Sequence, residues 1–445
     1  MRPWPTRACS SCYCLAVLPT SSAPDHARPP TNPRAPAEGA TAVSPLVVRE
    51  RLLLWTLAAI NFTHIVDFMI MMPLGPELTR LFAISDTQFG LLVSSYSLAA
   101  GVSGLLVSMV IDRFERKRAL LWLYAGFALA TLACGLAPTF ATLMAARVAA
   151  GVFGGVLGAL VQTIVGDAVP YERRGQAMGV VMSAFSLSTV AGVPLSLWLA
   201  SWGGWHAPFF AIAGLSVLVW WGAWRSVPSL HSHMTGVSAQ PALTQLRRVL
   251  SVPNHWRAFG LSALMVMGSF SIIPYITIYT TTNVGLRQDQ VPLVYLVGGV
   301  ATFFTARLWG WLADRFGKVL VFRLVSLLAV LPMLALTHLP VVPVWLLIIV
   351  TTGFFVFVSG RMVPGMALLT VASQPQLRGS FLSVNNALQS AAMGVAAWVG
   401  GAMISRSPDG LVQGYGMTGW LALASTLVMV WGVGRLQLHT APAKN

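Results

Sequence analysis

Twelve continuous apolar runs constrain this chain more than any other feature of its sequence. They fall at about 52–74, 88–111, 119–137, 141–166, 177–200, 207–224, 258–280, 291–312, 319–338, 344–367, 380–404 and 416–435. Each is long enough to cross a hydrocarbon core of roughly 30 Å. Lipid leaves no water to satisfy a peptide group, so only helices and closed barrels span it. A barrel would show short alternating segments, whereas these runs are unbroken. Charged residues make up 9% of the chain, against about a quarter in a soluble domain. The reading is an all-α integral membrane protein with six transmembrane helices on each side of a basic linker.

Lysine and arginine set its orientation. With the end of the second run in the cytoplasm, 18 basic residues fall on the cytoplasmic side, and 3 (Arg80, Arg287 and Arg406) on the outer side. That positive-inside bias predicts a multi-pass protein of the cell (inner) membrane with both termini cytoplasmic. It also accounts for most of the net charge of +15, so no nucleic-acid partner is needed.

The runs divide the chain. Residues 1–50 are rich in Pro, Ala, Ser and Thr and read as a disordered tail. Cys9, Cys12 and Cys14 lie there with no His or Cys set to complete a tetrahedral site, so no metal is expected. Residues 51–226 form a first six-helix half, 227–256 a cytoplasmic linker, 257–436 a second half and 437–445 a short cytoplasmic tail. In the linker a short amphipathic helix is expected near Leu243–Leu250, with His231 and His233 solvated. The halves look alike. Asp112-Arg113 ends the second run, and Asp314-Arg315 ends the eighth, 202 positions later. Arg174-Gly175 and Arg378-Gly379 repeat at an offset of 204. Duplicated halves of this kind are a common basis of alternating-access transport.

These residues resemble the major facilitator superfamily, and the resemblance covers about Leu52 to Arg435. Gly310-Trp311-Leu312-Ala313-Asp314-Arg315-Phe316-Gly317-Lys318 looks like the family's loop signature between spans 8 and 9. The first copy, from Ser108 to Arg118, is similar but has Ser108 and Glu115 where the family usually has glycines. Arg147-Val148-Ala149-Ala150-Gly151 resembles the span 4 motif with its embedded arginine. Gly192-Val193-Pro194-Leu195, then Gly204-Trp205, is similar to span 5 of efflux members. Asp67 followed by Pro73-Leu74-Gly75-Pro76 resembles proton-driven drug and sugar (arabinose-type) efflux carriers. The resemblance implies the major facilitator fold, a small-molecule substrate and a monomer in the bilayer.

Asp67 is the one acid inside a predicted span. Charge at the membrane centre costs about 2.5–3.5 kcal/mol on insertion scales, so an embedded acid is a functional candidate. Counting from Leu52, Asp67 lies about 23 Å into span 1, about 7 Å short of the outer edge. Counting from Ala141, Arg147 lies about 9 Å in from the outside on span 4. The two reach similar depth. The resemblance implies that spans 1 and 4 line one central cavity, where the two residues form either a proton-coupling pair or a fixed lock. His64 shares a helix face with Asp67 and reads either as a proton relay or as a neutral polar group.

Candidate cavity residues are Asn61, Tyr96, Gln162, Tyr275, Tyr279, Arg361, Asn385, Asn386 and Gln389. Polar side chains in a span avoid lipid, so they face protein or cavity. Arg361 has no acid in the spans of its own half and needs carbonyls, a substrate group or a path to the surface. Asp112, Arg113, Arg116, Asp314, Arg315 and Lys318 are expected to gate the cytoplasmic side, with Asp167, Glu172, Arg173 and Arg174 as partners. There is no phosphate loop, metal-binding HExxH or nucleophile–histidine–acid set, so an enzyme is not expected. The function expected is secondary active efflux of a small organic solute, driven by a proton gradient and using no cofactor. The alternatives are uptake or facilitated diffusion, or a sensor built on the same fold.

Overall fold

The computed structural model describes residues 45–108, 114–170, 173–229, 242–374 and 377–438. Helix α1 (Pro45–Ile70) begins before its apolar run, inside the segment expected to be tail. It also stops short of the expected end. Pro73 and Pro76 cannot donate to a continuing helix, and the chain restarts as the short α2 (Gly75–Leu81). Then follow α3 (Asp86–Ser108), α4 (Arg116–Gly135) and α5 (Phe140–Ala168). Thr139 and Thr142 cap α5 reciprocally: each hydroxyl accepts from the other's backbone N–H, at 3.3 and 3.1 Å.

The fifth span is two helices, α6 (Arg174–Leu187) and α7 (Val193–Gly203), joined by a π turn over Ser188–Gly192. Pro194 explains the turn: it lacks an N–H, and its ring crowds the carbonyl four residues back. After α8 (His206–Ser226) comes the short linker helix α9 (Ala242–Leu250), at the place read from the sequence. The seventh span, α10 (Pro253–Phe270), breaks at a turn containing Pro274 and resumes as α11 (Ile276–Tyr279). The remaining helices are α12 (Val291–Phe316), α13 (Lys318–Thr337), α14 (Val344–Ala372), α15 (Arg378–Met403) and α16 (Tyr415–Val433). A two-residue hairpin pair, β1 (Ser405–Arg406) and β2 (Val412–Gln413), precedes α16.

Among the described residues, 11 helical segments are long and apolar enough to cross a membrane. The expected span missing from these is the eleventh, α15, 26 residues long, or about 39 Å at 1.5 Å per residue. It has the length but not the apolarity, because Ser383, Asn385, Asn386, Gln389 and Ser390 interrupt it.

Helix packing repeats along the chain. Counting spans, 1 packs on 5 and 6, 4 on 2 and 3, and 3 on 6. The same pairs recur six spans later: 7 on 11 and 12, 10 on 8 and 9, and 9 on 12. Spans 2 and 11, and 5 and 8, pack across the two sets. The apolar core has a polarity of its own. At the end away from the basic loops, one cluster joins both sets, from Val66 and Leu92 to Ile276 and Tyr415. At the basic end there are two, one built around Leu57, Tyr124 and Ile164 and the other around Phe259, Phe322 and Phe381. The sets are thus packed together at one end and apart at the other.

Candidate functional site

A cavity of about 480 Å³ occupies that gap. Its wall is mostly apolar, with Phe68, Phe270, Phe355 and Met362 among its members. Among the described residues the wall carries no carboxylate, and its titratable members are His64, Tyr96 and Tyr295.

Glycines shape one side of it. On α5, a Cβ on Gly155 would come within 2.6 Å of the Ala100 methyl, and one on Gly158 within 3.5 Å of His64 Nε2. Gly151 and Gly154 face Tyr96 in the same way. The glycine row therefore seats α5 against α3 and the polar face of α1.

Behind the wall lies a buried ion pair. Asp67 and Arg147 are both 0% exposed. Arg147 Nη1 donates to Asp67 Oδ2 at 2.9 Å and to the Asp67 carbonyl at 3.2 Å. Thr131 donates to Asp67 Oδ1 at 3.2 Å. The guanidinium carbon lies 4.5 Å from the Tyr96 ring centroid. Spans 1, 2, 3 and 4 thus each contribute one side chain. Neither charged residue lines the cavity; Phe68 and Tyr96 do, with ring centroids 5.3 Å apart. The similar depth read from the sequence is realised as direct contact, with the pair one layer behind the wall. His64 lines the cavity, and its Nδ1 is buried without a hydrogen-bond partner.

Of the other candidates, Tyr96, Gln162, Asn386 and Gln389 line the cavity. Asn61, Tyr275, Tyr279, Arg361 and Asn385 lie outside its wall. Asn61 sits beside His64, over Gly158. Tyr275 donates to the Ala397 carbonyl at 2.5 Å and Tyr279 to the Leu339 carbonyl at 3.0 Å. Asn385 is buried, and neither atom of its amide has a partner. Arg361 is held by carbonyl and hydroxyl oxygens of α10 and α16. Being polar within a span excluded lipid for these residues, but protein-facing positions outnumbered cavity-facing ones.

The closed end was not anticipated. Arg406 of β1 donates through Nε and Nη2 to the two carboxylate oxygens of Asp86, both at 2.9 Å. The Asp86 side chain is 3% exposed and that of Arg406 41%. Hydrogen bonding to Asp86 raises the pKa of Arg406 above its ordinary value. Thr87 donates to the Gly401 carbonyl at 2.9 Å and Ser94 to the Gly394 carbonyl at 2.6 Å. All three contacts join α3 to α15 or the strand after it. The one sequence signal was that Arg406 is among the few basic residues on its side.

At the basic end, Asp112, Arg113 and Glu172 fall outside the described residues. Arg116 pairs with Asp167 at 3.3 Å, tying the start of α4 to the end of α5. Arg173 pairs with Glu50 at 3.0 Å. Both pairs lie within the first six helices, so neither bridges the gap. Asp314 and Arg315 are exposed, with Arg315 over Trp311. Lys318 opens α13. The two signature copies turn differently: Gly317 has φ +93°, whereas Glu115 is extended at φ −61° and pairs with Arg118 at 2.9 Å. A left-handed turn is open to glycine at no steric cost, and a glutamate in its place takes another path.

Known proteins place this arrangement. The family model described as Major Facilitator Superfamily matches residues 57–397. The "Uncharacterized MFS-type transporter YceJ" of Bacillus subtilis is 25% identical over 373 residues, covering 81% of this chain and 92% of the relative. A "Probable sugar efflux transporter" of Helicobacter pylori is 25% identical over 290 residues, covering 64% of this chain and 71% of the relative. The crystal structure of a D-xylose-proton symporter superposes with a TM-score of 0.70 at 17% identity, covering 86% of this chain and 97% of that one.

Proposed function

The chain belongs to the Major Facilitator Superfamily, and from that premise we propose that it is a proton-coupled efflux carrier for a small organic solute. One observation carries the reading: a carboxylate–guanidinium pair, fully buried, stands one aromatic layer behind a solute-sized cavity. Buried ionisable groups in membrane helices commonly mark ion pathways. A volume of about 480 Å³ lies within the roughly 300–1,000 Å³ of sites for drug-sized ligands. The excess of basic residues supports a cytoplasmic open end. The state is then inward-open, sealed outside by Asp86–Arg406.

In this cycle the outward-open state admits a proton to Asp67, which weakens its bond to Arg147. Return to the inward-open state re-forms the pair and discharges the proton. Efflux is favoured over uptake because a Helicobacter relative carries an efflux name. The experiment is flux in proteoliposomes with an imposed pH gradient, wild type against Asp67→Asn. The variant is expected to exchange solute across equal pH but to lose gradient-driven accumulation. Full proton dependence in that variant would falsify the assignment.

A further inference from the structure

Arg361 is a fully buried cation, and among the described residues no carboxylate stands beside it. Its Nη2 donates to the Met265 carbonyl at 2.8 Å and to Ser269 Oγ at 2.6 Å. Its Nη1 donates to Thr426 Oγ1 at 3.3 Å, and its Nε has no partner. Three neutral oxygens solvate the ion but leave its charge uncancelled, an arrangement expensive at membrane depth unless it serves something.

Ser269 connects this cation to the cavity. It lines the wall, as do Val358, Ser359 and Met362 from the helix turn that carries Arg361. The Ser269 oxygen is occupied as acceptor for Arg361. Its own hydrogen points at the Met265 carbonyl over 3.2 Å, a bond it can exchange for one to a ligand oxygen. A hydroxyl that accepts from a guanidinium is a stronger donor on its other side. Among the described residues the other charges directly behind the wall, Asp67 and Arg147, cancel each other. The cavity therefore feels one unbalanced positive charge.

Three other wall hydroxyls donate to carbonyls of their own spans. Thr302 donates to the Gly298 carbonyl at 2.8 Å, Thr189 to Ser186 at 2.9 Å and Ser383 to Gly379 at 3.2 Å. A lipophilic cation would meet a like charge. We infer that the cavity selects an amphipathic organic monoanion. Ser269 is the contact for its acidic group, Arg361 the residue that polarises that hydroxyl and supplies the field, and Phe270, Phe355 and Met362 the apolar seat. The inference rests on the transport reading of the same cavity.

Binding tests it without flux, so its failure is distinguishable from failure of proton coupling. The purified full chain, in nanodiscs of zwitterionic lipid, is titrated calorimetrically with three probes of one shape: biphenyl carboxylate, biphenyl carboxamide and biphenyl trimethylammonium. The carboxylate is expected to bind about tenfold tighter than the amide, with the ammonium weakest. Arg361→Gln should reduce that ratio to about twofold or less while leaving amide affinity within about twofold, and Arg361→Lys should keep most of the preference. Ser269→Ala should lower carboxylate affinity more than amide affinity. Equal affinity for carboxylate and amide in the wild type, or no carboxylate binding, overturns the proposal even if no variant folds. An unchanged ratio in a folded Arg361→Gln protein overturns it as well.

Discussion

Breaking the Asp67–Arg147 pair from its two sides should cost unequal amounts. Removing one member of a buried pair leaves an uncompensated charge, at about 3–5 kcal/mol. In Arg147→Gln the Asp67 carboxylate keeps only the Thr131 hydroxyl at 3.2 Å, so the full penalty is expected at a pH alkaline enough to keep Asp67 ionised, the condition of the comparison. In Asp67→Asn the guanidinium keeps the residue-67 carbonyl at 3.2 Å and the Tyr96 ring at 4.5 Å. The cation–π contact alone is worth about 0.5–2 kcal/mol, so this loss should be smaller by about that amount. The double variant places two neutral amides together and removes both stranded charges. Its cost should fall well below the sum of the singles, giving a coupling energy of at least about 2 kcal/mol. The measurement is reversible unfolding by SDS titration in mixed micelles, followed by tryptophan fluorescence for the four proteins. A coupling below about 0.5 kcal/mol, or a larger loss for Asp67→Asn than for Arg147→Gln, would refute the reasoning.

The other predictions concern closure and support of the pair. Asp86→Asn removes a half-exposed ion pair worth about 0.2–1 kcal/mol, enough to shift the closed-to-open ratio up to about fivefold. Labelling of a cysteine introduced at Thr87 by a membrane-impermeant maleimide should speed up by that factor, and an unchanged rate would count against the latch. Gly90→Ala puts a methyl 2.9 Å from the Ala397 carbonyl and against the Tyr275 hydroxyl. Overpacking of about 1–3 kcal/mol should fall on the state in which α3 and α15 touch, so transport should slow while unfolding measured from the outward-open state stays unaltered. Thr131→Val removes a hydrogen bond to a carboxylate, worth about 1.5–3 kcal/mol, and the same SDS titration should show that loss.

How far the sequence could be read depended on the kind of signal. Span positions followed from apolar run length. The breaks at Pro73, Pro194 and Pro274 did not, although the prolines were visible, because a run-length reading smooths over a turn whose flanks are equally apolar. Asp67 and Arg147 could be matched by counting rise from each membrane face. The layer of rings between them and the cavity could not, since it depends on helix rotation. Rotation also separates Asn386 and Gln389, on the wall, from Asn385, which is buried outside it. Arg361 was read as needing carbonyls or a ligand, and it has two hydroxyls besides the carbonyl. Asp86 at the start of α3 and Arg406 in β1 stand 320 residues apart, where spacing carries no information.

The backbone repeats every six spans, but the charges do not, and that asymmetry separates the two sites. In the first set a cation on the fourth span meets a carboxylate on the first. In the second set the cation on the corresponding span, the tenth, meets a hydroxyl on the seventh. Helices α5 and α14 are each 29 residues long and enter from the closed end. Arg147 is the eighth residue of α5 and Arg361 the eighteenth of α14. Ten residues of rise separate their layers by about 15 Å. The side chains close that gap: Arg361 reaches Ser269, and Phe270 beside it stands 6.1 Å from Phe68, the neighbour of Asp67. Antiport requires that solute and proton not be bound together, so the wall between the two sites has to hold while solute is bound. Tyr96 is that wall, since it lines the cavity on one side and stacks on Arg147 on the other. Tyr96→Leu should then let water reach the pair from the cavity and produce a proton leak in solute-free proteoliposomes, read with a pH dye inside the vesicles. Vesicles as tight as wild type would show that the ring does not separate the two paths.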